Sequence, residues 1–526
     1  MPVPDAGTET DVLIVGGGPV GLTARALLER WGVRALLVEK HRALSPFPRS
    51  RLVNVRSMEI FRGLGTAAGI TAAAFAPEYG RIRFRDTMDG PDFASAAMAG
   101  INAPVPESPV RGVVTSQDRL EPLLLDAADG PVRFGTELTA LTEDTDGVEA
   151  LLVDRDSGAG TRVRARHVLA ADGAHSTVRR LLGIGTTGPG ALGDITTVVF
   201  DADLGRWSAD RPAGVYFTAH GSLLPLYPEG GWSWFAPTPD DPEHADWAGI
   251  VARALGPGVQ TEIEVLRVQQ WVMHAFVAEE FRHGRVLLAG DAAHAMPIIG
   301  GLGMNTGVAD AHNLCWKLAG VLQGWAGSRL LHTYAAERRP VAQRTLRQTV
   351  ANPRLLHQVQ RHRQEQLRSG DPAPEQIEPP WSEEYFAQLG LVLGAVYRSA
   401  AVLTGDGTPS EPPDSGTDYV PTAEPGHRLP HLWLTPDRST LDTLGAWFTV
   451  LTPDPARWER QAGAAAPWPL RVEPLPCEHL GACRLGPRGA LLVRPDGHIA
   501  ARWSDAPPGG DTLRHALSAM TGSTPP

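Results

Sequence analysis

Cysteine is scarce: the chain has three in 526 residues, Cys315, Cys477 and Cys483. A disulfide scaffold would use many more, so a packed core has to hold the fold, with reduced thiols and a cytoplasmic location expected. "CEHLGAC" sets two of them six apart. That spacing is neither a thioredoxin-type CxxC nor half of a zinc site, so both read as incidental thiols and no metal centre is expected. Long apolar runs are also missing. No window approaches the roughly 18 uninterrupted apolar residues of a membrane span. The N-terminus has no basic stretch ahead of its first apolar run, so no signal peptide is read. Positive charge is not in excess either: a formal net charge of −11 argues against a sequence-independent nucleic-acid binder, which needs a basic face. What remains is an ordinary globular balance, 42% apolar and 20% charged, in a chain too long for one core. Two or three domains are expected.

Against that background "TDVLIVGGGPVGLTARALLERWGVRALLVEK", residues 10–40, stands out. Val12 to Val15 is a short continuous apolar run, the mark of a buried parallel strand. Gly16, Gly18 and Gly21 form G-x-G-x-x-G, with Pro19 and Val20 between them. Leu22 to Trp31 reads as a helix stopped by Gly32, and a second strand ends at Glu39 and Lys40. The first glycine permits the tight turn, the second lets backbone approach a pyrophosphate, and the third lets helix and strand pack closely. The helix N-terminus offers free N–H groups to the phosphates. Glu39 can accept hydrogen bonds from a ribose diol, which favours FAD or NAD over NADP as the tightly held nucleotide. A second match, "GPGALG" at 188–193, follows no apolar strand and precedes no helix; it reads as a loop.

A third stretch raises its own question. "GRVLLAGDAAHAMPIIGGLGMNTGVADAHNLCWKLAGVL", residues 284–322, runs from a strand (Arg285 to Ala289) through a glycine-rich turn into a helix over "TGVADAHNLCWKLAGVL". Asp291 and His294 look alone like an acid–base pair. An acceptor carboxylate at a strand's C-terminal end also sits where open α/β sheets bind ligands. Gly300, Gly301 and Gly303 would let backbone lie against a flat ring. Met304 and Asn305 fall near the helix N-terminus, whose dipole can stabilise negative charge on such a ring.

Together with "PRSRLVNVRSMEIFRGLG" (48–65) and "VLAADGAHSTVRRLLGI" (168–184), these segments resemble the FAD-dependent aromatic hydroxylases, the p-hydroxybenzoate hydroxylase group. They look most like the polyketide hydroxylases of aromatic antibiotic pathways, such as tetracenomycin and anthracycline hydroxylases and rifampicin monooxygenase. The resemblance covers nearly the whole chain. It implies that Asp291 contacts the FAD ribityl chain, that Pro297 and the glycines after it lie beside the flavin, and that His294 is mostly structural. It makes Asp172 and Gly173 a motif shared by FAD and NADPH, puts Arg49 and Arg56 at the family's arginine positions with Arg49 near the flavin, and gives Gln117 a contact to FAD, with Arg119 beside it. Arg51 is an addition to the family segment, a candidate substrate or NADPH contact or simply a surface residue.

The resemblance also implies an architecture: a Rossmann-like FAD domain (1–183 and 281–345, with 76–104 contributing to the substrate side), an antiparallel β-sheet substrate domain (184–280), a helical segment (346–403) completing that side, a linker or wrapping segment (404–431), and a thioredoxin-like C-terminal domain (432–526) without the redox CxxC. Pro340 and Pro353 should kink or divide the long helical stretch they interrupt. Tyr216, Phe217, Leu224, Trp232 and Trp234 are candidate pocket residues, although alternation lets only about half of each strand face inward.

The function implied is NAD(P)H-consuming hydroxylation of a polycyclic aromatic polyketide by a monomer or homodimer, through a C4a-hydroperoxyflavin formed from FAD and O₂. No acid–base dyad or Ser/His/Asp set stands out, as expected where the cofactor does the chemistry. Baeyer–Villiger insertion, a flavin oxidase or dehydrogenase without oxygen insertion, and a flavin-bearing binding or regulatory protein remain as alternatives.

Overall fold

The computed structural model describes residues 8–369, 377–382, 385–404, 416–463, 465–505 and 511–523. Its first layer is an eight-stranded sheet built around three parallel strands, Thr8–Val15, Gly160–Ala170 and Val286–Leu288, with Ala35–Val38 alongside. Their C-terminal ends are apolar: Val12, Leu13, Ile14, Val168, Leu169, Leu287 and Leu288 have no exposed surface, as a sheet covered on both faces requires. Val15 pairs with Val38 and Ala170, and Ala170 with Leu288. In this register the four strands end on one line, and the segments beginning at Gly16, Glu39, Ala171 and Ala289 emerge side by side at the sheet's C-terminal edge.

Helix Pro19–Arg30 and the longer helix Leu302–Gln323 lie against each other over this sheet. The longer helix begins at Leu302, a turn before the expected Thr306, because Gly301 takes a left-handed conformation (φ 62°) as its N-cap. Helix His332–Ser369 runs through both Pro340 and Pro353 without a break. Packing of Arg338, Ala342, Leu346, Leu356 and Val359 offsets the backbone hydrogen bonds that proline removes.

The second layer is an eight-stranded, mostly antiparallel sheet. It joins His294–Ala295, Glu264–Ala278, Thr186–Asp201, Gly230–Pro237, Gly221–Tyr227 and Val215–Thr218 to the hairpin Arg81–Arg85 and Asp92–Ala97. The "GPGALG" segment belongs to strand Thr186–Asp201 and not to a loop. Register shifts at Thr187/Gly190 and Ala191/Gly193 absorb its glycines as bulges against Glu264–Ala278. One face of the sheet is sealed by helix Trp247–Leu255. The other carries Ile82, Phe84 and Phe217.

The C-terminal unit has four strands, Leu470–Pro474, Phe448–Thr452, Ala490–Val493 and Ile499–Trp503, in that spatial order, with helices Pro455–Gly463 and Thr512–Thr521. A parallel βαβ followed by an antiparallel hairpin and a helix is a thioredoxin-like arrangement. All three cysteines are free, and only Cys477 is exposed. Residues 405–415 of the expected linker lie outside the described residues. The rest of it is no loose tether, since Ala423, Arg428 and Leu429 are buried.

Buried charge joins this unit to the rest. Arg494 donates to both oxygens of Glu337 (2.6 and 2.8 Å), and Lys317 adds a third bond to Glu337 (2.7 Å). Arg428 pairs with Glu59, which also receives Arg56 at 2.9 Å. Among the described residues no helix is long and apolar enough to cross a membrane, and no cluster of ligating side chains could hold a metal ion.

Candidate active site

The turn after strand Thr8–Val15 is shaped by close approach. A Cβ on Gly16 would stand 2.3 Å from Ala171 O, so the turn tolerates only glycine there. Gly18, the N-cap of helix Pro19–Arg30, has nothing within 4 Å of its Cβ position, and the helix N-terminus opens toward that space. Glu39 lies beside it: Oε2 accepts from Gly17 N (2.7 Å), and Oε1 accepts from His41 N (2.9 Å). Lys40 is exposed. Val20 wedges against Gly290 and Gly307, where added Cβ atoms would meet its methyls.

Asp291 sits in the short turn Gly290–Ala292 after strand Val286–Leu288. Its side chain is accessible, yet protein surrounds it closely enough that desolvation raises its pKa, with His294 and Arg49 pulling the other way. A Cβ on Gly303 would lie 4.0 Å from its Oδ1, so the carboxylate faces the first turn of helix Leu302–Gln323.

That first turn is tied down by Asn305. Its Oδ1 accepts from Asn54 N (2.9 Å), and its Nδ2 donates to Leu52 O (2.8 Å) and Gly301 O (2.6 Å). Leu52 is thereby pressed on the glycine turn, 2.7 Å from where a Gly301 Cβ would be. Gly300 rests on the amides of Asn352 and Gln388, and Asn352 donates to Ile299 O (2.9 Å). Pro297 is buried and Met304 half-buried against the main core.

His294 does not pair with Asp291 as acid and base. It is buried, and its Nε2 bonds Asp310 Oδ2 at 2.6 Å. Asp310 also accepts from Arg338 Nε (2.7 Å) and Gly290 N (3.1 Å). Burial works against ionisation of Asp310, but His294 and Arg338 outweigh it and hold its pKa low. The set fixes the Gly290–Asp291 turn to the helix behind it.

Several residues singled out by sequence are occupied elsewhere. Asp172 accepts from Ser176 Oγ (2.6 Å) and Val178 N (3.1 Å), so its oxygens organise its own turn, in which Gly173 has φ 82°. Gln117 accepts from Ser50 N (3.3 Å) and donates to Glu121 (2.7 Å), which accepts from Ser45 N (3.1 Å). Gln117 and Glu121 thus shape the loop carrying Arg49, which is exposed near Asp291. Sequence reasoning missed Glu121, which lies one helical turn after Gln117 in helix Gln117–Leu125. Arg56 bonds Asp496 O (2.6 Å) as well as Glu59, bridging to the C-terminal unit and not to the cofactor edge. Arg119 pairs with Glu229 at the surface.

The candidate pocket residues divide by strand face. Tyr216, Trp232 and Trp234 are core under helix Trp247–Leu255, and the Tyr216 hydroxyl donates to Arg211 O (2.8 Å). Phe217 points the other way, stacked on Phe84 at 5.1 Å. Leu224, opposite Val215 in the alternation, is half-buried on that same face. Phe84 leads on to Trp381 (6.2 Å), and Trp381 to Phe386 (5.3 Å). Leu52 and Ile299, from the two sides of the glycine turn, pack on this aromatic wall.

The residues present fit FAD. An open glycine at a helix N-terminus, the Glu39 carboxylate and the accessible Asp291 carboxylate share one sheet edge, and the glycine turn leads to a flat apolar wall. A family profile described as "FAD binding domain" matches residues 9–349, and one described as "Aromatic-ring hydroxylase, C-terminal" matches 422–524. Tetracenomycin A2 monooxygenase-dioxygenase of Streptomyces glaucescens is 35% identical over 98% of each chain. A 4-methyl-5-nitrocatechol 5-monooxygenase of Burkholderia sp is 34% identical over 94% of each. The crystal structure of the flavin-dependent monooxygenase PieE with FAD and substrate superposes with a TM-score of 0.85 at 33% identity, covering 98% of this chain and 99% of that one. A ternary complex of aklavinone-11 hydroxylase with FAD and aklavinone gives 0.82 at 32%, over 99% and 100%. With the cofactor edge, the aromatic wall and both family profiles in agreement, this chain belongs to the FAD-dependent aromatic-ring hydroxylases and is a flavoprotein monooxygenase.

Proposed function

We propose that the protein hydroxylates a polycyclic aromatic substrate of the polyketide type, taking one oxygen atom from O₂ and two electrons from NADPH. The other oxygen atom leaves as water. The observation that carries this is the half-buried wall of Phe217, Trp381 and Phe386 packed on the two sides of the glycine turn. Flat apolar side chains of this kind take a flat ring system by stacking and burial. Relatives named for tetracenomycin and aklavinone chemistry support a fused-ring substrate.

FAD, when bound, supplies the redox and oxygen chemistry. The chain supplies position. The N-terminus of helix Pro19–Arg30 would hold the pyrophosphate and Glu39 the ribose, as helix dipole and acceptor chemistry favour. Asp291 would accept from the ribityl hydroxyls, fixed in place by the Asp310–His294–Arg338 set. The first turn of helix Leu302–Gln323 would offer N–H groups and positive potential to the flavin. Leu52 and the aromatic wall would exclude water from the site.

The test is anaerobic reduction followed by oxygenation. The purified protein should bind FAD, NADPH should bleach it faster with substrate present, and ¹⁸O₂ should put one labelled atom on the unbroken ring skeleton. A rearranged or cleaved skeleton by NMR assigns insertion into a carbon–carbon bond instead. An unlabelled product assigns an oxidase or dehydrogenase.

A further inference from the structure

The other deeply buried arginines are answered. Arg85 faces Asp92, Arg338 faces Asp310, Arg428 faces Glu59, and Arg494 faces Glu337. Arg25 is held by three carbonyls. Arg51 is the exception in kind. It is 8% exposed, and its only hydrogen bond among the described residues runs from Nη1 to Gly214 O at 3.0 Å. Nε and Nη2 are buried with no acceptor.

Its place is specific. The next residue, Leu52, presses on Gly301. From there the Arg51 side chain crosses to the antiparallel sheet just before strand Val215–Thr218, with its guanidinium 5.5 Å from the Phe75 ring. Phe75 belongs to the same cluster as Phe84, on which Phe217, Trp381 and Ile299 pack. One cation therefore adjoins, through Phe75, the cluster that carries the aromatic wall, and its backbone neighbour Leu52 adjoins the glycine turn. Burial brings its pKa down to about 9, opposed by the Tyr227 phenol and by no carboxylate, so it stays charged at neutral pH. An unpaired buried charge is costly to hold, and a guanidinium with two free donors is matched to a planar oxyanion.

We propose that Arg51 is a specificity-determining residue that takes a negatively charged oxygen (carboxylate or ionised phenol) carried by the ring system bound at the aromatic wall. This rests on the aromatic-substrate reading above. The same donors would also suit an oxygen of the nicotinamide nucleotide, and the test separates the two sources.

The FAD-loaded enzyme is titrated with anthraquinone-2-carboxylate and with its methyl ester, following the flavin absorbance, in the wild type, Arg51→Met and Arg51→Lys. The wild type is expected to bind the acid about tenfold more tightly than the ester, the scale of one charge-assisted contact. Arg51→Met should lose that preference and Arg51→Lys keep most of it. FAD affinity should be unchanged, and the Tm of Arg51→Met no lower than wild type, because a buried charge without a counter-ion costs at least as much as its one hydrogen bond to Gly214 O returns. A preference that survives Arg51→Met overturns the proposal. So does a fall in Tm in both variants, which makes Arg51 structural. A tenfold rise in the KM for NADPH with the acid preference intact assigns the cation to the dinucleotide and overturns it too. If neither probe perturbs wild-type flavin, the aromatic-substrate reading fails, and this proposal with it.

Discussion

Asp291 and Asp310 are both carboxylates in the same part of the molecule, and their surroundings give them opposite tasks. Asp310 is enclosed with His294 and Arg338 and has no oxygen to spare for a ligand. Asp291 is accessible, and its nearby charges only temper a desolvation that raises its pKa. A carboxylate with free lone pairs on a rigid turn is the better cofactor acceptor. Asp291→Ala should weaken FAD binding by about 10- to 100-fold, the range of a hydrogen bond to a charged group. Fluorescence titration of apoprotein with FAD checks this; unchanged affinity would remove Asp291 from the cofactor edge. Asp310→Asn should act through stability, because Arg338 is left buried without its counter-charge. The expected loss is about 3–5 kcal/mol in denaturant unfolding. Sequence alone pointed to Asp291, through its place after an apolar strand. It did not single out Asp310 or Arg338, since a pair 28 residues apart on two helices leaves no local signature beyond a polar residue on an apolar face.

At the scale of elements, the strand–turn–helix segments were legible because their cause is local: apolar runs end, glycines turn, helices begin. The faces of the antiparallel sheet were not. Period-two alternation shows that Tyr216 and Phe217 point opposite ways, but only the tertiary fold decides which side helix Trp247–Leu255 covers. The helix through Pro340 and Pro353 departs from its sequence pattern for a related reason, since local breaking tendency yields to packing along its length. The glycine turn is the element most exposed to substitution. Gly301→Ala places a Cβ 2.7 Å from Leu52 Cδ1 at φ 62°. It should cost about 1–3 kcal/mol, the scale of a left-handed non-glycine residue plus displaced neighbours, and lower FAD retention as Leu52 shifts. Adding Leu52→Ala should recover part of the loss, because it relieves the contact but not the backbone. Thermal melts and flavin content of the single and double variants test both halves.

The whole molecule has a distinct response to acid. His167 and His498 are buried and held neutral. Burial, reinforced by Arg285, Arg282 and Arg166, lowers His167 to about 3, and burial lowers His498 to about 4 against the pull of Asp496. The unfolded chain takes up these protons near pH 6.5 and the folded chain does not. Stability is therefore full above pH 6.5 and falls as pH drops from there toward 4, by about 1.4 kcal/mol per pH unit for each such site. His498→Gln should flatten that slope by about one proton in Tm-versus-pH data; an unchanged slope would mean His498 titrates normally. The junction of the C-terminal unit adds a further expectation. Arg494→Met leaves Glu337 with Lys317 as its one cation among the described residues and Asp496 without its ion-pair partner Arg494, at about 3 kcal/mol or more in denaturant unfolding, while the pairing of Arg428 with Glu59 stays intact.

Those junction charges also order the making of the molecule. Glu59 leaves the ribosome 369 residues before Arg428, and Glu337 leaves it 157 residues before Arg494. Until the last fifth of the chain emerges, Glu59 has Arg56 and Glu337 has Lys317 as counter-charge, but each lacks its second cation. The last fifth of the chain thus completes the neutralisation of the earlier part, and a nascent chain stalled before Arg428 should be cleaved faster by protease than the full chain, with FAD present in both.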